Sequence, residues 1–247
     1  MSKNDSSNSK KTLFLDIGNS SIKVAYWENG EWQKTKDSFK SVTYLISWLN
    51  NHIDLINNLI VASVRKDHFK LLQSQVTDLD IQSITIDNIE PEVLDYDTPK
   101  TLGIDRFLVC LGAYQRNKGN VVVVDAGSAC TIDMMDENRI YRGGVIMPGL
   151  QSILNIFKQT APELPDIEVE FPGRWPGKST SESLQWGQVA FFIDGIESAL
   201  NRFKQLNGEF DLFITGGDAH KLSNLISEKS IQDEFLIFKG MKAFIDA

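Results

Sequence analysis

An apolar strand that stops on an aspartate and turns at once on a glycine occurs twice in this chain, and the same series of elements follows each time. The first copy is TLFLD (12–16) running into Ile17-Gly18-Asn19-Ser20, and the second is VVVVD (121–125) running into Ala126-Gly127-Ser128-Ala129. After each turn an alternating segment reads as a second strand, SIKVAYWE in one copy and ACTIDMMD in the other. Glu28-Asn29-Gly30-Glu31 and Glu137-Asn138 then signal tight turns into a third strand. A helix and a further apolar strand complete each set, so the order β-β-β-α-β appears twice, the mark of an internal duplication. The expected fold is α/β, with two duplicated domains, each a mixed sheet flanked by helices.

In the first half, Val42, Leu45, Ile46 and Leu49 fall on one helical face with Ser41 as a cap. LIVASV (59–64) reads as a buried strand, DHFKLLQSQV as a helix, IQSITID as a strand and DRFLVCLGAYQRN (105–117) as a helix. The second half adds a helix near 150–159, a Pro- and Gly-rich loop over 163–179, and a helical region over 180–206 broken near Gly187 or Gly195. DLFITGGDA is a strand ending in a glycine turn, and the tail gives a helix, a short strand at FLIF and a helix end. The expected division is a disordered lead-in at 1–11, a first domain at 12–117 and a second at 118–247.

The repeated turn has definite chemical uses. Glycine lets the chain reverse with no Cβ in the way, and successive backbone N–H groups then form a nest suited to phosphate oxygens. Ser20 and Ser128 place hydroxyls beside the nests, and an aspartate at the strand end can hold a cation directly or through water. Lys23, between Ile22 and Val24, is either a solvated strand residue or a cation aimed at phosphates. The late turn Thr215-Gly216-Gly217-Asp218 either covers part of a nucleotide or serves as a helix entry with Asp218 as its cap.

Net charge is −8, which disfavours a nucleic-acid surface. The two cysteines, Cys110 and Cys130, and the scattered histidines make no zinc pattern. The amino-terminal stretch lacks the apolar core of a secretory signal, and no segment is apolar enough to span a bilayer, so a cytoplasmic protein without membrane or nucleic-acid partners is expected. GxxxxGK[ST], a GxGxxG in a dinucleotide context and the protein-kinase motifs are all missing.

Together these pieces resemble the actin-like ATPase superfamily of sugar kinases and chaperone ATPases, whose duplicated domains hold ATP in the cleft between them. From Thr12 onward the chain most resembles the type III pantothenate kinases. Asp16-Ile17-Gly18-Asn19-Ser20-Ser21-Ile22-Lys23 matches the family's first phosphate motif. Tyr96-Asp97-Thr98-Pro99-Lys100-Thr101-Leu102-Gly103-Ile104-Asp105-Arg106 matches its most specific signature. Asp125 to Asp133, followed by Gly143 to Gly149, matches the second phosphate motif, and Thr180 matches a threonine before a long helix. Ser20 and Ser128 stand where threonine is commoner, which keeps the hydroxyl and loses only a methyl.

The resemblance implies transfer of phosphate from ATP to pantothenate, the first step toward coenzyme A, by a homodimer that uses Mg2+ and a monovalent cation, K+ or NH4+. It implies ATP binding by residues 16–23 and Ser128, and substrate binding by Tyr96, Gly103, Ile104, Asp105, Arg106 and Thr180, the last from a partner subunit. It makes Asp105 the general base and gives Asp125 to the monovalent cation, a position that could equally orient Mg2+. Read without the resemblance, Asp105 and Thr180 are helix caps, Arg106 a surface cation and Tyr96 packing. Trp175, Trp186 and Phe191 are expected in a core or an interface. The competing readings are another small-molecule kinase of the superfamily and a non-enzymatic regulatory or scaffold relative.

Overall fold

A computed structural model of the chain describes residues 10–35 and 39–247. Most of the lead-in expected at 1–11 lies outside those residues, as do positions 36–38, the end of EWQKTKDS (31–38), which the sequence alone reads as the third strand. Strand β1 spans Lys11–Ile17, β2 Ile22–Glu28 and β3 Glu31–Lys34. The β2–β3 turn has Asn29 at φ 53° and Gly30 at φ 85°, the two positive values that a hairpin of this hand requires. Helix α1 (Val42–Asn51) buries Val42, Leu45, Ile46 and Leu49, and the Ser41 side chain caps it by accepting from Tyr44 N. Then come β4 (Ile56–Ser63), α2 (Lys66–Gln75), β5 (Asp80–Ile84) and α3 (Ile104–Asn117).

The second series is β6 (Val121–Ala126), β7 (Ala129–Met135), β8 (Tyr141–Pro148), α4 (Leu150–Thr160), α5 (Thr180–Gln185), α6 (Phe191–Asn207), β9 (Asp211–Thr215), α7 (Ala219–Ser223), β10 (Ser230–Gln232) and α8 (Leu236–Ile245). The two sheets have the orders β3-β2-β1-β4-β5 and β8-β7-β6-β9-β10. In each, the first strand is antiparallel to the second and parallel to the fourth, so the duplication read from the sequence is present strand for strand.

Packing divides the chain into one unit of residues up to Ile89 with Lys100–Asp105, and another of Glu90–Pro99 with Arg106–Ala247. The line crosses the first turn of α3 instead of following that helix at residue 117. In the first unit Leu13, Leu15 and Ile17 of β1 pack with Leu45 and Leu49 of α1 and Leu72 of α2. In the second, Val122 and Val124 pack with Ile193, Ile196 and Leu200 of α6. All four valines of β6 are fully buried, as expected of a central strand covered on both faces.

One expectation is corrected here. FLIF is not a strand: Phe235 precedes α8, and Leu236, Ile237 and Phe238 are its buried first turn, while the short strand lies earlier, at 230–232. A four-residue apolar run carries no period that separates the two states. Trp175 and Phe191, expected in a core or an interface, are exposed on the surface of this chain. The break foreseen near Gly187 is a π-helical stretch, Trp186–Ala190, joining α5 to α6.

Helix α8 sits unusually close to α3. A methyl group on Gly112 would overlap the Leu236 carbonyl, and one on Gly240 would overlap the Leu108 carbonyl. Glycine at both positions lets the two backbones meet.

Candidate active site

The first turn is built where β1 hands over to β2. Asp16 lies directly across from Lys23, and Lys23 Nζ stands 3.6 Å from Asp16 Oδ2. Asp16 is buried, while Asn19, Ser20 and Ser21 are exposed. Gly18 N donates to Ser21 O at 3.1 Å and closes the turn. Behind it Val64 N, at the end of β4, donates to Ile17 O at 3.2 Å.

At the second turn, Gly127 N donates to Ala129 O at 3.1 Å. Here the residue across from the aspartate is Thr131. Two other glycines close around the turn. Gly149 N donates to Ser128 O at 3.0 Å, and a side chain on Gly149 would overlap the Gly127 carbonyl. Gly216, at φ +92°, has space for no Cβ: one would lie 2.5 Å from Ala126 C and 2.6 Å from Asp125 Oδ1. Asp218 N donates to Ala126 O at 3.0 Å. Asp218 occupies the cap position of α7, but its side chain makes no cap bond; it meets Lys221 Nζ at 3.0 Å. Burial, then the charges of Asp125, Asp133 and Asp218, push the Cys130 thiol up to about 12, so it stays protonated and unreactive.

In the Tyr96–Arg106 signature, α3 begins at Ile104, so Asp105 is the second helical residue and not the cap. Its carboxylate folds back over Gly103, where any Cβ would overlap Asp105 Oδ1. Gly103 also lines a cavity of about 560 Å³ in the first unit, at the carboxyl ends of β4 and β5, with Ser63, Lys66, Ser83, Thr85 and Lys100 around it.

Arg106 is buried, which excludes the surface-cation alternative. Its Nε donates to Asp133 Oδ1 at 3.0 Å and its Nη2 donates to the same oxygen at 2.6 Å. Burial opposes the guanidinium charge, but the Asp133 contacts outweigh it and hold Arg106 protonated; the Tyr96 hydroxyl bonds to it as well. Tyr96 is half-buried, its ring 6.0 Å from that of Tyr141. Thr180 is the exposed first residue of α5, whose cap is Ser179, accepting from Glu182 N at 3.2 Å. Trp175, Trp186 and Phe191 form an aromatic cluster beside that helix, with Trp175 and Trp186 edge to face at 4.8 Å.

Sequence reasoning gave Asp133 and Tyr141 no role, yet both are fully buried at this site. A lone acid within the apolar strand ACTIDMM, facing a Gly-Gly pair, was the available signal. Among the described residues, no group of three or more His, Cys, Asp or Glu side chains is placed to hold a metal ion.

A family model described as type III pantothenate kinase matches residues 12–202. Among curated relatives, the type III pantothenate kinase of Flavobacterium psychrophilum is 32% identical over 216 residues, covering 85% of this chain and 88% of that protein. The one from Agathobacter rectalis is 29% identical over 255 residues, covering 93% and 94%. Among solved structures, a conserved putative Baf family transcriptional activator from Campylobacter jejuni matches with a TM-score of 0.63 at 28% identity, over 95% of this chain and 97% of that one. A putative 2-dehydro-3-deoxygalactonokinase from Sinorhizobium meliloti shares the fold at a TM-score of 0.56 and 13% identity, over 94% and 97% of the two chains.

Proposed function

The chain belongs to the type III pantothenate kinase family, and we propose from its residues how it carries out the family's reaction. It transfers phosphate from ATP to pantothenate, in the biosynthesis of coenzyme A. The observation that carries this reading is the family match over 12–202 in a chain that keeps Asp16, Asp105 and Asp125.

Residues 16–23 bind the phosphates of ATP. The exposed turn residues Asn19, Ser20 and Ser21 offer backbone N–H groups and polar side chains to the phosphates on a bend closed by Gly18, and Ile17, Ile22 and Lys23 flank it, the lysine adding positive charge. Ser128 of the second turn contacts phosphate as well. Asp16 holds Mg2+, whose role when bound is to neutralise phosphate oxygens. Asp125, a hard oxygen donor, holds the monovalent cation, K+ or NH4+.

Asp105 accepts the proton of the primary hydroxyl of pantothenate as the oxygen bonds to the γ-phosphorus. The bond to the β–γ bridging oxygen breaks, and ADP leaves with that electron pair. Gly103 and Ile104 set the turn that aims this carboxylate, and Tyr96 and Arg106 hold oxygens elsewhere on the acceptor. Thr180 reaches the acceptor from a second copy of the chain. The aromatic cluster of Trp175, Trp186 and Phe191 beside α5, in which Trp175 and Phe191 are exposed, supports such a homodimer. The reaction is placed in the cytoplasm as part of the same proposal; no described helix is long and apolar enough to cross a membrane.

ADP release measured with and without pantothenate, first in potassium and then in sodium buffer, tests this account. Potassium-stimulated, pantothenate-dependent turnover is expected. ADP release indifferent to pantothenate would overturn it in favour of another acceptor or a regulatory role.

A further inference from the structure

We propose that Asp133 is a positioning residue for the acceptor: it fixes the plane of the Arg106 guanidinium and, through it, the affinity for pantothenate. The proposal rests on the reading of Arg106 as an acceptor contact.

Asp133 lies on β7 with no exposed surface. Arg106 Nε meets both of its oxygens, Oδ1 at 3.0 Å and Oδ2 at 3.2 Å, and Arg106 Nη2 meets Oδ1 at 2.6 Å. Tyr141 Oη donates to Oδ1 at 2.7 Å, which stops the carboxylate from turning. Burial and the Asp133 charge raise the Tyr141 hydroxyl far above its ordinary range, so it serves as a donor at every working pH.

Two glycines on β8 make the arrangement possible. Gly144 pairs with Asp133 across the ladder, and any side chain there would overlap Asp133 Oδ1. Gly143, at φ +84°, lies against the Tyr96 ring, 3.6 Å from where its Cβ would stand. The same strand therefore seats both the carboxylate that grips Arg106 and the ring beside it.

A buried ion pair is a poor means of stabilising a fold, because desolvation cancels most of the attraction and apolar residues of like volume do as well. It is an effective means of orienting a long side chain. An arginine side chain carries much rotamer entropy, which a bidentate clamp removes before the ligand arrives. Asp133 engages Nε and Nη2 and so sets the plane in which the whole guanidinium lies.

The test is steady-state kinetics of Asp133→Asn, Tyr141→Phe, Arg106→Gln and the Asp133→Asn/Arg106→Gln pair, with each substrate varied in turn. Asp133→Asn should raise the KM for pantothenate about tenfold or more, the scale of a charge-assisted bond, and leave the KM for ATP within about twofold. In the Arg106→Gln background the same change should add nothing, because its effect runs through Arg106. Additive effects, or an unchanged pantothenate KM in a less heat-stable Asp133→Asn protein, would overturn the proposal while leaving Arg106 as a contact. An unchanged pantothenate KM in Arg106→Gln would instead overturn the contact and the proposal with it. Should Asp133→Asn not fold, Tyr141→Phe decides: a rise in pantothenate KM alone supports the clamp, and lost heat stability with unchanged KM overturns it.

Discussion

The two acidic turns descend from one pattern but are finished differently. In the first, Asp16 faces a lysine across the strand pair; in the second, Asp125 faces a threonine. Both receive the same support from behind, an N–H from the segment after the parallel neighbour strand, given by Val64 to Ile17 O and by Asp218 to Ala126 O. In the first unit that donor comes one residue after β4 ends; in the second it comes three residues after β9, and Gly216-Gly217 fill the difference. Those glycines bring backbone down onto Asp125, whereas the first turn keeps a side-chain cation and an exposed polar tip. One duplicated hairpin can thus be specialised toward charge or toward close backbone packing by changing the residue across the ladder and the length of a neighbouring turn.

Neither turn carries the proposed base, so the largest effect should arise outside both. Asp105→Asn should fold and lose about 10²–10⁴-fold in turnover in a coupled ADP assay. A greater loss from Asp16→Asn or Asp125→Asn would place more of the chemistry in the turns than this comparison allows. Next in size is stability. Gly216→Ala combines a left-handed φ with overlap on Ala126 and Asp125, and should cost about 1–3 kcal/mol or more in thermal unfolding. Gly18→Ala, whose Cβ would lie 3.2 Å from Ser21 O, should cost less than about 1 kcal/mol. Equal losses would erase the distinction between a packed turn and an open one.

The difference across the ladder gives a smaller signal. Lys23→Ala should raise the KM for ATP about tenfold, and Thr131→Val should change it less than about threefold. Smallest of all, Lys23→Ala should shift unfolding by no more than about 1 kcal/mol, since its 3.6 Å pair with Asp16 is open to solvent on the lysine side. A large loss of stability there would mean that the lysine holds the turn together instead of serving it.

Much of this was legible in the residues. The alternating strands, the Asn29-Gly30 turn and the α1 face needed only local period and turn chemistry, and each is present. The Asp-x-Gly turns were legible because they recur. What stayed hidden depended on partners distant in the chain. Gly216 reads as an ordinary loop glycine until its backbone is found against Asp125, ninety-one positions earlier. Asp133 reads as the tail of a motif until Arg106 and Tyr141 close on it. The apolar FLIF run is helical because α3 offers it a glycine-lined seat, a fact no four-residue window contains.

That seat matters for anyone who handles the protein. Because the Gly240 backbone rests against the Leu108 carbonyl, the final helix acts as a brace under the helix that opens with Asp105 and Arg106. Trimming the molecule back past Leu236 would therefore unseat the helix that carries the proposed base, and a change made for convenience at one extremity would register as lost turnover.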